Sequence, residues 1–465
     1  MTNRLAPAAT SAVVLTLLTV LPALSLGVLA STSSAEEAAS ASPADSAVTV
    51  DSAVTVWPQW RGPGQDGVAP RGEYPVQWSP DQVAWSVATP GDGGSSPVVS
   101  GETAYLTAGV DGENRLYAYD LGDGSARWSV SLGADRGNKH RKGSGANPSP
   151  VTDGEVIAVY FRSGDLAGVT DSGEVLWQVN LQDEFGEDTL WWDLGSSPVL
   201  VDGMVVVAVM QTGPSYLVAY DLHTGERRWK VDRQLGAPEE AAQSYTTPQA
   251  VTVDGKSMIA VMGADHLTLH RAGDGSEVAK LGGFNPDGER YFRSISSPVA
   301  EGNLIVCPYA RGATLTAVRI DRLAAGAGEA AILWHRDDLG SDVPTPAMHD
   351  GVVYVVSDGK RDKGTVYALA AESGETLWSV TMPRTRHSYS SSPLIAGGRL
   401  YVTGEDARTS VIGPVGSDAG EPASVLHTNE MADDEPYTVA SPVPTGDGLL
   451  IRTNAALTKV AGSKP

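Results

Sequence analysis

Cationic and aromatic side chains gather in four short stretches of an otherwise acidic chain. These are Lys139-His140-Arg141-Lys142, Trp191-Trp192-Asp193, Arg290-Tyr291-Phe292-Arg293 and Arg384-Thr385-Arg386-His387-Ser388-Tyr389. Tyr245 and Tyr437 stand at comparable places farther along. Guanidinium, ammonium and aromatic groups held together suit recognition of an anionic or peptide ligand. Solvated loops with ordinary caps are the competing explanation. The candidate binding residues are Lys139, His140, Arg141 and Lys142; Trp192 and Asp193; Tyr245; Arg290 and Arg293; Arg386, His387 and Tyr389; and Tyr437. No acid, base or nucleophile stands out among them, so no catalytic residue and no metal ligand is assigned.

Other chemical signals fail on context. Gly62-Pro63-Gly64-Gln65-Asp66-Gly67 has the glycine spacing of a dinucleotide loop, but no apolar strand precedes it and Pro70 follows where a helix should start. His266 and His270 flank Leu267-Thr268-Leu269, a strand-like run. Four residues of strand span about 13 Å, too far to share one metal ion; both are expected to be surface histidines. Cys307, the single cysteine, lies in Leu304-Ile305-Val306-Cys307 and is expected to be a buried, inert thiol.

The elements that must position these residues are repeats. A small residue followed by proline opens an apolar run at Pro97, Pro150, Pro198, Pro248, Pro298, Pro346, Pro393 and Pro442, with spacings of 47 to 53 residues. Within the first unit, Ser96–Gly101, Thr103–Ala108, Leu116–Asp120 and Ala126–Leu132 each read as a short strand bounded by Gly or Asp turns. Four strands per period of about 49 residues make an antiparallel propeller blade. Asp120, Gly124 and Trp128 recur as Asp221, Gly225 and Trp229. Glycine there supplies a positive φ at the hairpin, and the tryptophan is expected to cover the gap between neighbouring blades.

The eighth unit has three strands, ending near Val460, and an unpaired fourth-type strand, Gln82–Val87, precedes the first proline. The expected fold is therefore all-β: an eight-bladed propeller of four-stranded antiparallel blades, closed by an N-terminal strand. In such a ring the segments leading into each first strand rim one mouth of the central channel, which is where the decorated stretches fall.

Arg4 followed by the apolar run 11–30 reads as a signal peptide over 1–30, with an uncleaved anchor as the alternative. Residues 31–56, with the hexapeptide 45–50 copied verbatim at 51–56, read as a disordered linker, leaving 57–465 as the propeller. Net charge is −23. That sign makes nucleic acid and anionic membrane surfaces poor partners; export by the signal peptide places the expected protein, a monomer, in the periplasm or outside the cell.

Trp57-Pro58-Gln59-Trp60-Arg61-Gly62-Pro63, Asn147-Pro148-Ser149-Pro150 and Tyr220–Trp229 together resemble bacterial exported proteins built of PQQ-like β-propeller repeats. That family is similar to the outer membrane assembly factor of the BamB type and, more distantly, to quinoprotein alcohol dehydrogenases. The first likeness implies a non-catalytic scaffold that binds an envelope protein. The second implies an oxidoreductase or sensor holding PQQ in the channel, with adjacent cysteines over the quinone and a Glu/Asn/Asp set around calcium. One cysteine rules out the first of those features, and no acidic set in the sequence matches the second.

Overall fold

A computed structural model describes residues 57–79, 82–416, 422–432 and 436–462, all within one compact unit, Asp51–Pro465. The expected signal peptide and linker lie outside these residues. Among them, eight four-stranded antiparallel sheets follow one another, which we number as blades 1 to 8. Blade 1 comprises Val98–Ser100, Thr103–Val110, Glu113–Asp120 and Ala126–Ala134. Blade 8 joins Val443–Pro444, Gly448–Arg452 and Ala456–Ala461 to Val83–Ala88, which pairs antiparallel with Ala456–Ala461. The ring closes as expected, with the amino-terminal strand outermost in the last blade.

The core lies between blades. Alternate residues of each inner strand face the neighbour on either side, so buried clusters join blades in pairs: Tyr105 and Leu116 meet Ile157 and Val159, and Val206 and Ala219 meet Ile259 and Val261. This is why the middle strands, such as Val156–Tyr160, are apolar on both faces rather than alternating.

The outer-strand tryptophans occupy the packing positions expected of them. The indole N–H groups of Trp85, Trp128, Trp177, Trp229 and Trp334 donate to Leu121, Asp171, Leu222, Ala272 and Ala371 carbonyls of the following blade at 2.7–3.0 Å. The hairpin glycine of that blade lies beneath the ring. A Cβ on Gly225, at φ +68°, would sit 2.4 Å from Trp177.

Two seams lack this tryptophan and are filled differently. Blade 4 has Ala279 at that position, and the short helix Ile320–Ala324 of blade 5, with Leu323 1% exposed, packs against it instead. Blade 7 has His427 there, and Tyr74 and Trp78 join the cluster that links blades 7 and 8. The Trp78 main-chain N–H donates to Asn429 Oδ1 at 2.9 Å, fixing this strap in place.

One expectation is corrected. His270 is 2% exposed, not a surface residue: its Nδ1 pairs with the Gly275 carbonyl at 3.0 Å and its Nε2 with Thr268 Oγ1 at 3.0 Å, and burial lowers its pKa. Cys307 is fully buried, which pushes its thiol pKa well up.

Trp229→Ala should therefore cost about 3–5 kcal/mol of stability. Gly225→Ala should also destabilise, because it combines a strained φ with a clash. Urea unfolding monitored by far-ultraviolet circular dichroism checks both, and a neutral Trp229→Ala would show that the seam does not depend on the indole.

Candidate functional site

The innermost strand of each blade is a sheet edge, so its channel-facing N–H groups have no further strand to bond. The proline that opens it has no N–H to satisfy. The residue before the proline donates its N–H to the hydroxyl of the equivalent residue in the next blade. Ser96 donates to Ser149, Ser149 to Ser197, Ser197 to Thr247 and Thr247 to Ser297, at 2.9–3.0 Å. Ser297 then donates to Thr345, Thr345 to Ser392, Ser392 to Ser441 and Ser441 back to Ser96, at 2.8–3.0 Å. The result is an unbroken circle of eight hydrogen bonds. Among the described residues none of these hydroxyls has an acceptor for its own proton.

Two residues beyond the proline, six of the eight blades present a second N–H that residues 57–69 satisfy; blade 8 has Pro444 there, with no N–H, and blade 5 has Ala300. Val99 bonds the Trp57 carbonyl, Thr152 the Pro58 carbonyl, and Ile395 the Gly67 carbonyl, at 2.8–3.0 Å. Leu200 and Ala250 donate to the side-chain oxygens of Gln59 and Gln65, at 3.2 and 2.8 Å. Met348 reaches the Asp66 carbonyl at 3.3 Å. Arg61 is buried within this segment and donates to the Pro346 carbonyl at 2.6 Å and the Asp66 carbonyl at 2.7 Å. Burial without a paired carboxylate lowers its pKa to about 10. The glycine-rich stretch that imitates a dinucleotide loop is the turn of this plug.

Above the plug lies a cavity of about 550 Å³, bounded by residues from all eight blades. All eight ring hydroxyls line it, and Trp60 is the one plug residue that does, forming its base. The Arg61 guanidinium lies 5.7 Å from the Trp60 ring centroid.

Of the residues expected at the rim, the structure brings His140, Lys142, Trp192, Asp193, Tyr245, Arg293 and Tyr389 into the cavity wall. Lys139, Arg141, Arg290, Arg386, His387 and Tyr437 are not in that wall. Lys139 pairs with Asp188 at 2.6 Å, and Arg290 pairs with Glu239 on the surface. Arg386 Nε donates to His387 at 3.1 Å. Arg141 is exposed, and Tyr437 is held by its backbone to Asn454 at 2.8 Å.

The wall cations are matched by carboxylates that the rim sequences did not reveal. Lys142, leading into blade 2, reaches Glu405 of blade 7 at 2.6 Å, bridging the mouth across blades 1 and 8. Arg293 meets Asp342 through two bonds of 3.0 Å. Asp193 accepts the N–H groups of Lys139 and His140, at 2.7 and 2.9 Å. Asp358 accepts those of Asp342 and Val343, at 2.9 and 3.0 Å; burial first, then the Asp342 charge, raise its pKa to about 6. His140 meets Trp192 edge-on at 5.4 Å, and burial pushes the Tyr389 hydroxyl up to about 12. Carboxylates outnumber cations in this wall, and each is already bonded.

A family model described as outer membrane protein assembly factor BamB matches residues 74–281 and 318–453, well over half of the chain. The chain belongs to this BamB family. Among solved structures, BamB from Moraxella catarrhalis is 14% identical with a TM-score of 0.56, covering 82% of this chain and 98% of that one. A europium-containing methanol dehydrogenase is 13% identical with a TM-score of 0.62, covering 84% and 87%. The quinohemoprotein alcohol dehydrogenase from Comamonas testosteroni is 13% identical at 0.61, covering 88% and 81%. At these identities the likeness is one of fold. No curated protein matches the chain.

The dehydrogenase likeness invites a fit test for a quinone with calcium. Trp60 supplies an aromatic base, a feature the sequence did not disclose. The ion is not provided for: calcium takes six to eight oxygen ligands, while the BamB-family wall here has its four carboxylates spent on N–H groups, Lys142 and Arg293. Among the described residues the one group of three candidate metal ligands is Glu301, His349 and Asp350, none of which lines the cavity. The residues do not fit PQQ with calcium.

Replacing Ser297 by Ala removes the acceptor of the buried Thr247 N–H and should cost about 1–3 kcal/mol. Ser297→Thr keeps the hydroxyl and should cost much less. Thermal unfolding of both variants checks this, and equal losses would contradict the hydroxyl's role.

Proposed function

We propose that this protein is an exported, non-catalytic binding propeller of the cell envelope that presents its cavity mouth to a partner protein or small ligand. The observation that carries this is the state of the charges around the cavity. The wall charges serve to fix the rim: Lys142 pairs with Glu405, Arg293 with Asp342, and Asp193 and Asp358 each accept two main-chain N–H groups. Membership of a family described by outer membrane protein assembly agrees with a scaffold role. A signal peptide over 1–30 and a tether over 31–56 would deliver it to that compartment as a monomer. No helix among the described residues is long and apolar enough to cross a membrane.

The rim itself offers contact area. Trp191 is 47% exposed, Trp192 41% and Tyr291 52%. Beneath them the buried Glu240 accepts from Trp192 Nε1 and from Arg311, each at 2.8 Å, so the Trp192 indole is fixed in place. Exposed aromatics on a fixed support are what protein interfaces use as anchors.

A photo-cross-linking residue at Tyr291 in the full-length protein should capture an envelope partner in cells. The same residue at Leu377, exposed on the outer strand of blade 6, should not. Calorimetric titration with PQQ and calcium should give no heat. Micromolar PQQ binding lost in Trp60→Ala would replace this function with the quinone one.

A further inference from the structure

The cavity has a shape and a chemistry that specify a ligand class more narrowly than its rim does. Its base is an indole, Trp60, and its circumference is polar at every blade. The eight ring hydroxyls each accept a main-chain N–H, which polarises the O–H and leaves its proton to donate into the cavity. Above them, Asp193 and Asp358 are held by backbone N–H groups and keep lone pairs for further donors. The cup therefore offers one apolar face and a complete circle of hydrogen-bonding groups of both kinds.

Charge narrows the class further. An anion would have to displace Asp342 from Arg293 or Glu405 from Lys142, within a wall where carboxylates are in the majority. A metal ion finds no group of three candidate ligands in this wall among the described residues. A peptide carries its polar groups along a line, not around a disc. What fits is an uncharged ring with apolar C–H faces and hydroxyls on its perimeter. About 550 Å³ lies within the range of small-molecule sites.

We propose that this cup binds a neutral saccharide, one pyranose ring stacking on Trp60 and its hydroxyls bonding the Ser/Thr circle and the wall carboxylates. The proposal rests on the non-catalytic binding function above and names its small ligand. A saccharide ligand would also suit a propeller placed in a cell envelope, where glycans are abundant surfaces.

The test is binding of the full-length protein to an array of neutral and acidic oligosaccharides, followed by tryptophan-fluorescence titration with the best neutral one. Binding to neutral glycans is expected, weakened roughly five- to tenfold by Trp60→Ala and largely restored by Trp60→Phe. Leu377→Ala, on the outer strand of blade 6, should leave it unchanged. Circular dichroism of each variant verifies folding. Binding to acidic glycans alone, to none, or to neutral glycans with no effect of Trp60→Ala would overturn the proposal. Capture at Tyr291 is independent of these outcomes, so a saccharide failure with partner capture intact would leave the scaffold function standing.

Discussion

A propeller hides its outer edges by curvature and its seams by packing, but its innermost strands still present unpaired N–H groups to the channel. Burying such a group without a partner costs about 1–3 kcal/mol, and eight blades repeat the problem. This protein answers it in three adjacent registers of one motif. The residue before the proline bonds a hydroxyl of the next blade, the proline removes a donor, and on six blades the residue two beyond bonds the 57–69 segment. The rest of the structure follows from that arrangement. The hydroxyl circle joins each blade to its neighbour, the segment 57–69 plugs the channel, and the space left above the plug becomes a cup.

Buried arginines extend the same logic to seams where carbonyls are left over. Arg61 gathers carbonyls of blades 6 and 7, Arg233 those of blade 4, and Arg452 of blade 8 takes the Ser95 and Thr107 carbonyls of blade 1 at 2.9 Å each. Among the described residues none faces a carboxylate within salt-bridge distance, and burial lowers the pKa of all three to about 10. They act as rigid donor forks, and Arg452 fastens the first blade to the last beside the clasp strand. The charged groups at the mouth are organised in the opposite way, as ion pairs between loops, and it is this difference that separates scaffold from site.

Period, strand pattern, clasp and outer tryptophans were all legible, because each recurs and recurrence identifies packing. Single-copy features were not. Trp60 sits in the opening motif, which marks the family but has no periodic counterpart to reveal that it forms the cavity base. Glu405 and Asp358 lie between the second and third strands of their blades, so a search confined to the segments before each proline could not reach them. That is why the cations of those segments suggested an anionic ligand, when Lys142 and Arg293 already hold acidic partners. The serine and threonine before each proline were visible as a repeat mark; their hydroxyls became functional candidates only once the ring brought all eight together. His270 read as a surface residue because strand alternation does not disclose that both faces of a middle strand are covered.

The account's central claim is that channel-facing amides are satisfied by the hydroxyl circle around the whole ring and, on six of the eight blades, by residues 57–69 in a second register. Native-state amide hydrogen exchange on the full-length protein tests it most directly. The N–H groups of Ser96, Ser149, Thr247 and Ser297, and those of Val99, Thr152, Ala250 and Ile395, should exchange only through opening as large as global unfolding. Rapid exchange at these positions, with protection confined to the two middle strands of each blade, would contradict it.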